Sequence, residues 1–238
     1  MIEKYLNTIQ NVDCLEFMRG LPDKCIDCIY TDVPYLYQTG GGGSSKLALR
    51  IRNNINTLDE HKITDGFDIK TNFLEWIRIM KKINLFVWCS KLQILDLLKE
   101  AEKLENVYIE ILVWVKTNPT PSTNNTWLPD IEYCLYFREK GVKLNGGYFH
   151  KQKAYIGGLN VADKKVLEHP TIKPLDCVQK HLLHATQEND IVFDPYIGSG
   201  TTAHACKMLK RKYIGCEISK EYCDIAEQRI KSISNTLF

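Results

Sequence analysis

No apolar run in these 238 residues approaches the ~20 needed to span a bilayer, and the opening "MIEKYLNTIQNVD" has no signal-type apolar segment. A cytoplasmic protein without membrane spans is therefore expected. Metal-ligand spacing is equally scarce. Cys25-x-x-Cys28 could be half of a zinc site, but no second Cys-x-x-Cys or clustered Cys/His pair completes it. The nine cysteines mostly sit inside apolar runs such as "CIDCIY" and "FVWCS", so buried, reduced thiols are the expectation. There is no internal repeat and no full G-x-G-x-x-G fingerprint, which disfavours a dinucleotide. The formal charge of only +2 excludes little, because it is unevenly spread: residues 138–173 carry eight Lys/Arg against three acids. A basic segment on a mildly acidic body suits a polyanionic partner or a solvated surface.

What is present is an alternation. "YLNTIQ", "CIDCIYTD", "INLFVWC", "VYIEILVWV", "DIEYCLYF", "DIVFD" and "KYIGCE" read as seven strands. Between them, "DCLEFMRGL" (with Asp13 as N-cap), "NFLEWIRIMKK", "KLQILDLLKEAEKL" (period through Leu95 and Leu98), "LDCVQKHLLHAT", "TTAHACKMLK" and "KEYCDIAEQRIKSI" read as helices. The pattern predicts one α/β domain over residues 1–238, an open and largely parallel sheet covered on both faces. Residues 38–68 and 138–168 break the alternation and are longer than ordinary connections, so a mobile loop and an inserted functional segment are expected there.

Two strand ends carry chemistry. In "DIVFDPYIGSGTTAHACKMLKRKYIGCEIS", a strand ending at Asp194 meets a Gly-x-Gly turn, a helix, a second strand and Glu217. Gly198 and Gly200 would permit a sharp turn and close approach to a ligand, and Glu217 stands where an acid accepts both ribose hydroxyls of a nucleoside cofactor. In "IYTDVPYLYQTGGGG", Asp32 ends a strand beside the Val33 carbonyl, and Val33 is held extended by Pro34. Two acceptors beside the flat ring of Tyr35 suit a planar base bearing an exocyclic amino group. Accepting both amino protons holds that nitrogen toward sp³ geometry and frees its lone pair for attack.

"TDVPY" resembles the Asp-Pro-Pro-Tyr motif of amino-directed DNA methyltransferases, and "FDPYIGSGTT" is similar to their S-adenosylmethionine loop. "HPTIKP", residues 169–174, resembles the segment that precedes that loop in the circularly permuted β group, whose motif order this chain follows over residues 1–137 and 167–235. The resemblance implies a Rossmann-like methyltransferase sheet and an S-adenosylmethionine-dependent enzyme acting on double-stranded DNA, with adenine N6 ahead of cytosine N4 because position 32 is Asp. It implies that Asp32 and the Val33 carbonyl receive the amino protons and Tyr35 stacks on the flipped base. Asp13 would lie near the cofactor's adenine and Glu217 at its ribose. Asp194, Gly198, Ser199, Gly200 and Thr201 would line its methionine portion, with Thr171 and Lys173 near its carboxylate. The family's first Pro is Val33 here, which would leave the catalytic tip less rigid.

A nucleophilic Pro-Cys dipeptide is absent, which disfavours attack on a ring carbon. Protein-glutamine or RNA methylation and a catalytically silent DNA-binding or cofactor-sensing module are the remaining alternatives. DNA contacts are expected at Lys46, Arg50 and Arg52 after the catalytic tip, and at Lys151 and Lys153 in the insert, which would supply most sequence recognition. A homodimer and a cognate restriction endonuclease are compatible partners.

Overall fold

Eight strands form one sheet in the computed structural model, which describes residues 2–36, 67–119, 127–147, 151–158 and 172–233. They are β1 (Thr8–Gln10), β2 (Cys28–Asp32), β3 (Asn84–Cys89), β4 (Val107–Lys116), β5 (Ile131–Glu139), β6 (Ala154–Gly157), β7 (Ile191–Asp194) and β8 (Lys212–Cys216), in the spatial order β1-β8-β7-β2-β3-β5-β4-β6. Only β5 runs against the others. The largely parallel sheet matches the expectation, but with one strand more. The extra strand, β6, lies inside the basic segment and pairs in parallel with β4 from Val113↔Ala154 to Lys116↔Gly157. Four residues are too few for a readable alternation.

The helices are α1 (Cys14–Arg19), α2 (Ile69–Ile79), α3 (Ile94–Ala101), α4 (Leu175–Ala185), α5 (Thr201–Met208) and α6 (Lys220–Ser232). Strand residues alternate between two cores. Ile29, Leu85, Val87, Leu135 and Phe137 face α1, α2 and α3, whereas Tyr30, Phe86, Trp88, Cys134 and Tyr136 face α4 and α5. Each fully buried large apolar side chain contributes roughly 1.5–3 kcal/mol, and Trp76, Trp88 and Trp114 are almost wholly enclosed. All nine cysteines are buried free thiols. Among the described residues no helix is long and apolar enough to cross a membrane.

Two local expectations shift. Leu95 is exposed, and α3 instead turns Leu97 and Ala101 fully inward with Ile94 and Leu98 beside them. The first strand is shortened because Glu3–Tyr5 forms a 3₁₀ turn and Asn7 adopts a positive φ of 60°, which Asn tolerates better than most residues.

The connections place the site. From β7 the chain passes through α5 to β8 on one side; from β2 it passes through α2 to β3 on the other. The sheet therefore reverses its winding between β7 and β2, and ligands bind α/β sheets outside the carboxyl ends of strands at such a point. Asp194 and Asp32 are the two strand ends there.

The segment 138–168 is bound to the body where it is described. Its first two residues end β5. Asn145 docks on the end of α4, its side chain donating to the Leu183 and Thr186 carbonyls at 3.1 and 2.8 Å. Lys180 on α4 donates to the Gln152 and Ala154 carbonyls. Lys46, Arg50, Arg52 and Thr171 lie outside the described residues, as does most of 38–68.

Candidate active site

A cleft of about 360 Å³ opens at the switch point, walled by the starts of α1 and α5, the ends of β2, β7 and β8, and residues 172–173. That volume suits a ligand of drug or cofactor size.

One half of the cleft has the features of a nucleoside site. Asp13 caps α1, accepting from the Glu16 N–H at 3.0 Å, and faces the cleft. Glu217 follows β8 and accepts from the Gly198 N–H at 3.0 Å through one oxygen and from the Ser219 N–H at 2.8 Å through the other. Each carboxylate oxygen has capacity for more than one donor, so this arrangement fixes Glu217 and still fits paired ribose hydroxyls. Gly198 takes a φ of 50° to present its N–H. Asp194 is buried, accepts from the Thr202 hydroxyl at 2.6 Å and from the Tyr196 N–H at 3.1 Å, and burial pushes its carboxyl up to about 7.

Gly200 makes the sharp turn expected of it and has a packing role as well. It has a φ of 79°, and an added Cβ would lie 2.9 Å from the Ala226 Cβ on α6. The left-handed turn and close helix packing both require this glycine. Ser199 and Thr201 line the cleft while Arg229 from α6 braces them, donating to the Ser199 carbonyl and the Thr201 hydroxyl at 3.2 and 2.8 Å. Gly215 on β8 also lacks room for a side chain, because its Cβ would come within 2.3 Å of Ile197. That contact seats the loop directly on the sheet, and nothing in the local sequence announces it.

The other half holds the catalytic tip. Val33 donates its N–H to the Trp88 carbonyl at 3.2 Å, extending the β2–β3 ladder one residue past the strand. A proline could not make that bond. Gln93, fully buried, donates to the Pro34 carbonyl at 2.8 Å. Hydrogen bonds therefore brace the tip where the family uses a ring. Tyr35 follows, with the Lys173 ammonium 5.2 Å from its ring centroid.

Lys173 is almost enclosed, lines the cleft and carries ion pairs that the sequence did not announce. Its ammonium bonds Asp32 through Oδ2 and lies 3.2 Å from Glu132 Oε2, over the Trp88 ring at 5.4 Å. Lys116 contacts the other Glu132 oxygen at 2.7 Å. The charge expected near a cofactor carboxylate is thus also shared by two protein carboxylates. Burial alone would lower the Lys173 pKa, but Asp32 and Glu132 hold it above the usual lysine value. Burial likewise works to raise Glu132, yet Lys173 and Lys116 hold it down at about 2. Asp32 remains above its ordinary range because burial outweighs Lys173. Its Oδ1 is buried without a well-formed hydrogen bond among the described residues, and the Asp32 side chain lines the cleft.

Glu132, Lys116 and Gln93 were not among the residues the motifs point to. The signal for Glu132 was an acid inside the otherwise apolar stretch "IEYCLYF"; Gln93 gave none. Beneath the tip, Trp88 donates to the Tyr30 hydroxyl at 2.9 Å, and that hydroxyl meets His181 Nδ1 at 3.1 Å.

Known proteins resemble this chain in sequence and fold. The chain is 30% identical to the Type II methyltransferase M2.DpnII of Streptococcus pneumoniae over 94% of its own length and 89% of that protein's. It is 27% identical to the Type II methyltransferase M.HinfI of Haemophilus influenzae over 98% and 70% of the two chains. Among solved structures, the M1.HpyAVI–SAM complex superposes with a TM-score of 0.65 at 26% identity, covering 94% of this chain and 98% of that one. The cytosine-N4-specific PvuII DNA methyltransferase superposes at 0.66 with 16% identity over 95% and 90% of the chains, a likeness of fold. The DNA methylase family of N6 and N4 enzymes matches residues 26–228. With Asp32 and Glu217 lining one cleft and the family match spanning most of its length, the chain belongs to this family: it is a DNA methyltransferase that uses S-adenosylmethionine.

Proposed function

We propose that this enzyme methylates the exocyclic N6 of adenine within a specific double-stranded DNA sequence. The observation that carries the reading is Asp32, which lines the cleft together with Val33 and whose buried Oδ1 has no well-formed hydrogen bond among the described residues. A base inside a duplex cannot reach it, so the target nucleotide must be flipped out. Asp32 and the Val33 carbonyl would each accept one amino hydrogen, holding the nitrogen pyramidal with its lone pair exposed. Tyr35, with Lys173 against one ring face, would stack on the base with the other. S-adenosylmethionine, held by Glu217, Asp13 and the 198–201 turn, supplies an electrophilic methyl group when bound. As the amine forms its new bond it must shed a proton, and an ionised Asp32 is the acceptor already in contact with it.

The aspartate at position 32 supports adenine over cytosine, and the single sheet supports one domain over 1–238 with recognition residues in 138–168. Lys151 and Lys153, exposed just before β6, and the cations Lys46, Arg50 and Arg52 of the sequence support DNA contact. The Type II names of the relatives support a place beside a cognate restriction endonuclease, and the short recognition segment supports action as a homodimer.

Incubation with unmethylated plasmid and mass spectrometry of the hydrolysed nucleosides tests this. N6-methyladenine is expected, and N4-methylcytosine alone would overturn the choice of base while leaving the family intact. Asp32→Ala should abolish transfer, costing several kcal/mol of barrier at ~1.4 per tenfold, with cofactor affinity unchanged.

A further inference from the structure

Asp32 has to satisfy two opposed demands. It must stay ionised in a buried place, since a protonated carboxyl donates a hydrogen bond where the amino group needs an acceptor. It must also keep an acceptor available, which an ammonium clamped to it alone would oppose. The structure answers with a chain of alternating charges: Asp32, Lys173, Glu132, Lys116. Lys173 touches Asp32 Oδ2 and approaches Glu132 Oε2 at 3.2 Å, while Lys116 holds Glu132 Oε1 at 2.7 Å. The chain begins at Lys116 on β4, crosses β5, and ends at the one carboxylate oxygen, Asp32 Oδ1, that the proposed chemistry needs.

We propose that Glu132, anchored by Lys116, is a positioning residue that shares Lys173 with Asp32 and thereby leaves Asp32 charged but able to accept the substrate's amino hydrogens. The inference rests on the methyltransferase reading of the cleft. With Glu132 present, Lys173 has a second anionic partner to lean on when the base arrives. Without it, Asp32 is the ammonium's sole counter-ion, and its acceptor strength is spent on Lys173.

The groups facing Asp32 allow the effect to be signed. Lys173 lowers its pKa and Glu132 raises it, against a background of burial, and the Tyr35 hydroxyl favours the charged form. Asp194 from β7, Cys89 from β3, Cys134 from β5 and Tyr30 from its own strand also sense its charge. Lys116 reaches it through Glu132. Removing the Glu132 charge therefore moves Asp32 titration to lower pH. Removing Lys116 leaves the Glu132 charge uncompensated and moves it to higher pH.

The test compares Glu132→Gln, an isosteric change, with Lys116→Met in the full chain. Methyl transfer to bacterial DNA from a methylation-deficient host is followed against pH, and ¹³C-carboxyl NMR of aspartate-labelled protein without DNA follows Asp32, assigned by its loss in Asp32→Asn. Glu132→Gln should lower the plateau kcat about tenfold with little change in cofactor KM, and shift the Asp32 titration and the acidic limb downward. Lys116→Met should shift both upward. Shifts of the same sign in the two variants, or an Asp32 titration that moves in neither, would overturn the proposal. If the NMR shifts appear with these signs but the wild type methylates no DNA, the substrate reading fails and the coupling stands.

Discussion

The side-chain amide of Gln93 donates to the Pro34 carbonyl at 2.8 Å, tying the first residue of the α3 entry to the catalytic tip. Its own oxygen accepts from the Ser90 N–H and hydroxyl, both at 2.9 Å. Gln93→Leu should therefore orphan groups on both sides, each costing about 1–3 kcal/mol when buried. Because the Val33 carbonyl moves with Pro34, kcat should fall beyond the loss of stability. Gln93→Glu keeps acceptance from Ser90 but sets a carboxylate against the Pro34 carbonyl, so it should recover less activity than stability. Urea unfolding and kcat measured side by side decide this; activity unchanged in a folded Gln93→Leu variant would remove Gln93 from the site.

Glu217 accepts one N–H through each oxygen, so charge and shape can be separated there. Glu217→Gln must point an amino group at either Gly198 or Ser219, donor against donor. Hydrogen bonds to a charged acceptor contribute about 1.5–3 kcal/mol each, and losing one should weaken S-adenosylmethionine binding roughly ten- to hundredfold. Calorimetry on the folded variant checks it, and an unchanged Kd would place the cofactor's ribose elsewhere.

Gly200 separates two kinds of strain. Its φ of 79° disfavours any Cβ, and that Cβ would stand 2.9 Å from Ala226. Gly200→Ala should cost about 1–2 kcal/mol for the left-handed backbone and about 1–3 for overpacking. Adding Ala226→Gly relieves the second and not the first, so the double variant should recover only part of the loss. Denaturant midpoints that match the wild type in the single variant would contradict the geometry.

His181 predicts a pH dependence. Burial pushes its pKa down from 6.5 to about 3, and it stacks on Phe86 with its Nδ1 at the Tyr30 hydroxyl. Between those values the unfolded chain binds a proton that the native protein refuses. Stability is thus full above pH 6.5 and is lost as pH falls toward 3, with a limiting slope of about 1.4 kcal/mol per pH unit from this one group. His181→Phe should be less stable at pH 7, for want of the Tyr30 contact, but its disadvantage should shrink on acidification. A wild-type-minus-variant difference that stays constant from pH 7 to 4 would show that His181 is not held neutral.

Much of this was legible in the sequence because parallel strands buried on both faces read as apolar runs, and because Asp32, Asp194 and Glu217 each close such a run. Asp13 was legible as a cap from its place before a helical period, and the structure shows that cap. What stayed hidden depends on distance along the chain. Lys173 meets Asp32 across 141 positions, and no local pattern reveals that a cation expected at a cofactor is balanced by Glu132. Gly200 and Gly215 looked alike as turn or strand glycines, yet each is fixed by a particular neighbour, Ala226 and Ile197. Leu95 and Leu97 are both leucines in one short helix, and only packing decides which faces inward.

The basic segment gives the last prediction. Lys153 precedes β6 and pairs with Glu110 on β4, while Lys151 stands exposed two residues earlier. If this edge of the sheet meets phosphates, Lys151→Gln with Lys153→Gln should flatten the dependence of log affinity on log salt by up to two contacts, about 0.9 per phosphate. Glu110 competes with DNA for Lys153, so Glu110→Gln should tighten binding, an effect no general loss of folding can imitate. Cofactor affinity should hold in both variants, because β6 ends the sheet opposite the β8 side that carries Glu217. Salt titrations of a duplex by fluorescence anisotropy give the slopes. Identical slopes for the wild type and the double lysine variant, with no gain from Glu110→Gln, would exclude β6 from the DNA interface and shift recognition to the cations that follow the catalytic tip.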